Sequence, residues 1–441
     1  MKSKKIAVAL SLTLVLACAA VALSAMAGTH DPLVEVLIRK GILTEREAAE
    51  IEKEAAELEL RRRREVVEEA KKRAVPKPLR GLRFRMLSYL DYSVGEHGAA
   101  DKGQTSYNRF AIKRGYFRVD KKITPWLKAH LTYDVHQDDD QDWKVRLKYL
   151  YAEFRPGDMA FFTDMKAEVG MGHMPWLDYE EHVNPYRCQG TMAIERAHVF
   201  NSADLGISLR GNLGGRLDDA GSLVGNHHYD GRWGSWHVGV YNGGGYHASE
   251  NNGNKVVEGR ITIRPLPDLV PGLQFSYFGL MGEGNMKNSV NGEYPDYSVN
   301  LGMLSYESPL FILTAQYFVT EGNASGKWTD SSGDALSTEG WSAFANFRIP
   351  MPMFPAWDRR LALFGRYDHF DGDRDDDIAG DSIYDMWTGG MALEFIRGNY
   401  ILLDYEHTLF GDDCAGKGKA PVADMNLGDD HKFQMVYQLK F

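Results

Sequence analysis

The chain has 441 residues, with 51 lysines and arginines against 61 aspartates and glutamates, a formal net charge of −10. That balance, with no basic patch interleaved with aromatic residues, argues against a nucleic-acid partner. Beyond the first segment no apolar stretch approaches the ~18 residues that a spanning helix requires, so a membrane would have to be crossed by strands.

Lys2, Lys4 and Lys5 form a basic start, residues 6–23 an apolar core and Ala25-Met26-Ala27 an A-x-A cleavage site, so residues 1–27 read as an export signal peptide. Val15-Leu16-Ala17-Cys18 weakly resembles a lipobox, but the apolar run continues past Cys18, which favours ordinary cleavage. Cys188 and Cys414 then remain, both in expected outer loops, where a disulfide or two free thiols are equally permitted.

Residues 28–78 read as a periplasmic helical arm. Asp31-Pro32 opens a short helix that Gly41 ends, and Thr44-Glu45-Arg46-Glu47 is a capping box for a longer one. Ala48, Ile51, Ala55 and Leu58 make a coiled-coil-like stripe, which the charged stretch from Arg61 to Arg73 loses. At ~1.5 Å per residue the arm would reach roughly 40 Å, as a self-associating coiled coil or a solvated charged helix. Pro76 and Pro78 end it.

From residue 82 the apolar period switches to two. In 126–136, Leu127, Ala129, Leu131, Tyr133 and Val135 alternate with Lys128, His130, Thr132, Asp134 and His136. Comparable runs are 82–94, 107–119, 143–154, 165–172, 205–210, 236–240, 257–264 and 273–279. The series continues through 299–305, 311–319, 341–349, 361–367, 383–395, 400–409 and 433–441. Short turns alternate with long polar loops at 95–106, 137–142, 173–203, 242–254, 280–298, 320–339, 371–382 and 410–429. The stretch 211–235 is too long for a turn and reads as an extended hairpin or a miscount. Trp126, Trp143, Trp341 and Trp357 sit near strand ends, where an interfacial girdle belongs. The last strand alternates and ends on Phe441, an ending that resembles the assembly signal of bacterial outer-membrane barrels. Residues 79–441 are therefore expected to be all-β: a transmembrane antiparallel barrel of about sixteen strands.

If the apolar face meets lipid, the other lines the lumen. It then collects Arg83, Arg85, Lys128, Lys144, Arg146, Lys148, Arg210, Arg260, Arg264, Arg348, Arg360, Arg366 and Lys432, against fewer acids: Asp134, Glu168, Asp204, Glu258, Asp368 and Asp404. A basic wall would concentrate anions, unless these cations pair with acids across the lumen. Loop 173–203, with Glu180, Glu181, Arg187, Glu195 and Arg196, is expected to fold inward as a constriction, or else to pack over the outside. The excess acid lies in loops such as 138–140 and 371–377. Asp371, Asp373 and Asp375 suggest calcium, but the EF-hand pattern fails at Asp376 and Ser382, leaving at most a loosely held divalent ion or a solvated acidic loop. No G-x-S-x-G, H-E-x-x-H or glycine-rich phosphate loop occurs, so neither catalysis nor a cofactor is expected; a Ser-His pair assembled from neighbouring strands is the one enzymatic alternative.

Phe110-Ala111-Ile112-Lys113-Arg114-Gly115-Tyr116-Phe117, Leu147-Lys148-Tyr149-Leu150-Tyr151-Ala152-Glu153-Phe154 and Val169-Gly170-Met171-Gly172-His173-Met174-Pro175-Trp176 resemble the phosphate-selective porin O/P family. The likeness continues through Ile194-Glu195-Arg196, Asp204-Leu205-Gly206-Ile207, Arg366-Tyr367-Asp368-His369-Phe370-Asp371 and Leu403-Asp404-Tyr405-Glu406. It implies a sixteen-stranded, trimeric, water-filled outer-membrane porin with an inward third loop, but carries no phosphate-binding residues onto this chain. The expected partners are outer-membrane lipid and lipopolysaccharide, further copies of the chain, and small anions or other solutes. A passive channel is thus expected; the alternative is an envelope tether that acts through the helical arm.

Overall fold

A computed structural model describes residues 31–74, 76–137, 142–351 and 360–441. The expected signal peptide with Cys18, the acidic run 138–140 and Trp357 lie outside the described residues. The chain divides into two units, Met1–Arg80 and Gly81–Phe441.

In the first unit, α1 (Pro32–Arg39) is capped by Asp31, whose carboxylate accepts the Leu33 N–H at 2.9 Å. Gly41 follows at φ 70°, ending the helix in the left-handed conformation. At the start of α2 (Glu45–Ala74), Glu47 Oε2 accepts the Thr44 N–H at 2.9 Å and Thr44 Oγ1 accepts the Glu47 N–H at 3.3 Å. Val34 and Ala48 are buried, while Ile51 and Leu58 are exposed, so most of the apolar stripe on α2 has no cover within this unit.

The second unit is a closed antiparallel barrel in which each strand pairs with its neighbours in sequence and the last pairs with the first. Its strands are β1 (Leu82–Ala99), β2 (Gly103–Lys122), β3 (Leu127–Gln137), β4 (Trp143–Phe154), β5 (Phe162–His173), β6 (Ala203–Leu213), β7 (Gly234–Tyr241) and β8 (Val256–Ile263). They continue as β9 (Leu273–Glu283), β10 (Asp296–Glu307), β11 (Phe311–Glu321), β12 (Ser337–Pro350), β13 (Arg360–Asp371), β14 (Ile383–Ile396), β15 (Asn399–Phe410) and β16 (Asp430–Lys440). Every run of period two is a strand, because alternation puts one residue in two against an apolar exterior. Phe441 closes the seam: its N–H bonds to the Met86 carbonyl at 3.2 Å and its carbonyl accepts the Met86 N–H at 3.0 Å. Among the described residues no helix is long and apolar enough to cross a membrane.

Two stretches depart from the sequence reading. Residues 95–106 are not a loop; β1 and β2 run on to a turn at 100–102. Glycines suggest a loop there, but they serve close packing: a Cβ on Gly95 would stand 2.0 Å from the His431 carbonyl oxygen, and one on Gly98 1.7 Å from that of Gly428. Residues 214–233 are a long turn that holds a bridge between Arg216 and Gly231 and a short helix, α5 (Ala220–Leu223), after the helices of loop 174–202 described below.

On the outside, Trp126 stacks on Phe154 at 6.3 Å at the short-turn end, while Trp143, Trp341 and Trp387 are exposed nearer the long-loop end. Aromatic rings at both ends of an apolar band are the mark of an interfacial girdle.

Candidate functional site

The lumen is occupied from both ends. Loop 174–202, which holds α3 (Pro175–Val183) and α4 (Ala193–Arg196), folds into the barrel rather than over it. Trp176, Leu177, Tyr179, Val183, Ile194 and Phe200 are buried in one cluster with the wall residues Phe278, Phe318 and Phe364. Apolar burial at roughly 25 cal/mol per Å² makes this packing the main force that holds the loop inside. Polar ties fix its orientation. Trp176 Nε1 donates to Glu180 Oε2, and Gln316 Nε2 to Glu180 Oε1, both at 2.8 Å. Arg196 reaches Glu406 at 3.2 Å, and Arg366 donates to the Thr191 carbonyl at 2.7 Å. Burial raises the Glu180 carboxyl to about 7, against the opposing pull of Arg366.

Where the loop turns polar groups toward the wall of β2 and β4, that wall is basic. β2 carries a bulge at Lys113: Tyr89 pairs with Arg114 but Leu90 pairs with Ile112. β4 carries another at Lys148, since Thr132 pairs with Tyr149 and Tyr133 with Leu147. A bulge re-aims a side chain, so Lys113 and Arg114 both point inward although they are adjacent. Lys113 Nζ donates to the Cys188 and Gln189 carbonyls at 2.8 Å and to Gln434 at 3.0 Å. Lys148 Nζ donates to Tyr116 Oη at 2.5 Å, and Arg114, Arg118 and Lys148 stand 5.0, 5.7 and 4.8 Å from the Tyr116 ring centre. Facing them, Arg187 joins Glu181 and Glu195, each at 2.8 Å. Burial opposes ionisation of Glu181, yet Arg187, Lys148 and Arg114 hold its carboxyl below the ordinary range. Acids on the loop thus confront bases on the wall. Lys113, Arg114 and Arg118 were missed by simple alternation.

From the opposite end, turn 214–233 rises to meet the loop. Tyr229 donates to Asp178, Asn226 Nδ2 donates to Glu307 at 2.8 Å and to the His182 carbonyl at 3.0 Å, and the His182 and His228 rings lie 3.9 Å apart.

The other expected lumen cations are spread around this arrangement. Arg85 pairs with Asp120, Lys128 lies between Asp120 (3.8 Å) and Glu153 (3.6 Å), and Arg146 bonds to Asp134 at 2.9 Å. Arg210 bridges Glu168 at 2.7 Å and Asp178, and Lys432 reaches Glu406 at 3.1 Å. Arg83, Lys144 and Arg360 are exposed, and Arg348 donates to the Ser308 carbonyl at 3.4 Å. Three depart from an open lumen wall. Arg260 is sealed between the Tyr179 and Tyr229 rings at 4.4 and 4.7 Å, Arg264 holds the Gly231 carbonyl at 3.3 Å, and Arg366 is buried against Asp368. They face inward, but the loop and the turn cover them, and Lys148, 3% exposed against Tyr116, is likewise buried.

Asp373 spends both carboxylate oxygens on the N–H groups of Asp377, Ile378 and Ala379 (3.0, 2.6 and 2.9 Å), Asp371 accepts from Ser382 at 2.7 Å, and Asp375 is exposed. They brace a loop. Cys188 and Cys414 are both free and buried, so the disulfide alternative falls.

No protein-family model matches the chain, and no curated protein matches it. Solved structures do. An anion-selective porin from Comamonas acidovorans is 12% identical with a TM-score of 0.50, over 82% of this chain and 100% of that one. The outer membrane channel DcaP of Acinetobacter baumannii is 12% identical at 0.50, covering 82% and 97%; OprB of Pseudomonas putida is 9% identical at 0.50, covering 82% and 94%. The barrel has the fold of the outer-membrane porins, closed, sixteen-stranded and antiparallel. The narrower likeness to the phosphate-selective O/P family rests on its sequence motifs alone.

Proposed function

We propose that this chain is an outer-membrane porin through which small hydrophilic solutes and ions diffuse passively, with a preference for anions. The observation that carries the reading is the cluster of Lys113, Arg114, Arg118 and Lys148 on the inner wall, two of them bulge residues, opposite an inward loop whose acids are partly neutralised by Arg187. Positive charge in a confined, poorly screened passage raises the local anion concentration and repels cations. Similarity to an anion-selective porin and to other outer-membrane channels supports the same reading, as does the apolar exterior with its girdle. Assembly as a homotrimer in contact with outer-membrane lipid and lipopolysaccharide, with arm 28–78 on the periplasmic side, belongs to this proposal. The test is a planar bilayer with a KCl gradient. The expected result is stepwise conductance with a reversal potential displaced toward chloride; a cation preference overturns the anion selectivity, and absence of conductance from folded protein overturns the channel.

A further inference from the structure

We propose that His407, His431 and Asp429 form a binding site for a divalent transition metal, with Zn2+ as the fitting ion, on the outer surface of the barrel at its long-loop end. The two histidines are direct partners across β15 and β16, and their rings stack 4.2 Å apart at 14°. They end a row of outward-facing rings: Trp341 to Tyr367 at 4.6 Å, Tyr367 to Trp387 at 5.0 Å, Trp387 to His407 at 6.2 Å. A girdle position asks only for an amphipathic aromatic ring; two facing imidazoles beside a carboxylate supply something more, a set of metal donors.

Among the described residues, this is where three such side chains bring ligand atoms within 4.8 Å of one another. Asp429 Oδ2 stands 3.5 Å from His407 Nε2, a nitrogen that is otherwise buried without a hydrogen-bond partner. His431 Nδ1 is bonded to Tyr405 Oη at 2.8 Å, which fixes the ring and leaves Nε2 for an ion. Two imidazoles and one carboxylate suit Zn2+, Ni2+ or Cu2+, whereas Mg2+ and Ca2+ prefer all-oxygen sets. Donors around a tetrahedral ion with bonds of ~2.1 Å lie about 3.4 Å apart, so closure requires modest side-chain rotations at a half-exposed rim. The fourth position is left to water or to another ligand. The site is on the exterior and does not depend on what passes through the lumen.

The test is calorimetric titration of the full chain in detergent with ZnCl2, and of its H407A, H431A and D429N variants. One Zn2+ per chain is expected for the native protein, with affinity falling at least about tenfold in each of the three variants. Unheated migration on denaturing gels monitors folding of each variant. Electron paramagnetic resonance of the native protein with one equivalent of Cu2+ gives a readout independent of the variants, and superhyperfine coupling to two nitrogens is expected. Equal Zn2+ uptake by native and H407A/H431A protein, or a Cu2+ spectrum without nitrogen coupling, overturns the site and leaves the pair as girdle rings only.

Discussion

Tyr179 and Tyr229 pack edge to face with ring centres 5.3 Å apart, although one belongs to a loop that enters the barrel from the long-loop end and the other to a turn that enters from the short-turn end. The two insertions meet inside the wall and enclose Arg260 between their rings. The barrel interior is therefore filled by a pair of opposed elements rather than by one loop.

Replacing residues 217–230 by a two-residue Asn-Gly turn, which the Arg216–Gly231 bridge can close, should raise single-channel conductance about twofold. Tyr229→Ala should give a smaller rise, since it removes one ring and the bond to Asp178. Unchanged conductance in both would show that the turn lies off the path.

Glu180 makes docking of the loop sensitive to pH. Its carboxyl is raised from 4.5 to about 7, so between those values the docked loop holds a proton that a released loop gives up. Docking is strongest below pH 4.5 and weakens as pH rises through 7, by on the order of 3 kcal/mol in all. Amide hydrogen exchange across Pro175–Val183 should be faster at pH 8 than at pH 5, and Glu180→Gln should abolish the difference beyond the intrinsic pH effect.

Burial pushes the Cys188 thiol up to about 12 and the Cys414 thiol up to about 11. In native protein at pH 8 both should react with iodoacetamide at least about 100-fold more slowly than in denaturant. Mass spectrometry after a short exposure would read the label; rapid native alkylation of Cys188 would mean that the loop is not packed as described.

Lys113→Gln and Lys148→Gln should each lower the chloride-to-potassium permeability ratio roughly two- to threefold, with arginine at either position largely retaining it. Reversal potentials in a KCl gradient measure this. If neither variant moves the ratio, selectivity is set elsewhere in the lumen.

The barrel was legible because alternation is a direct consequence of one wet and one greasy face; each expected run, from 82–94 to 433–441, lies on a strand. The bulges were visible only as broken spacing. Outward residues jump from Ile112 to Phe117 and from Leu147 to Leu150, odd steps that signal an extra residue and hence a re-aimed lysine. What covers an inward residue was not legible at all. Arg260 and Arg366 face the lumen by parity, but the partners that bury them come from loop 174–202 and turn 214–233, which have no strand period to announce where they fold. The tip of the β1–β2 hairpin was hidden because glycines needed for tight backbone packing look like loop glycines.

That hairpin leaves the cylinder with an unzipped margin. β3 pairs with β2 only from Gly115 to Lys122, and among the described residues no strand lies along the same edge at 103–114. Peptide groups stripped of partners do not tolerate hydrocarbon. This margin, with Phe110 82% exposed on it, must either stand clear of the acyl chains or lie against another polypeptide.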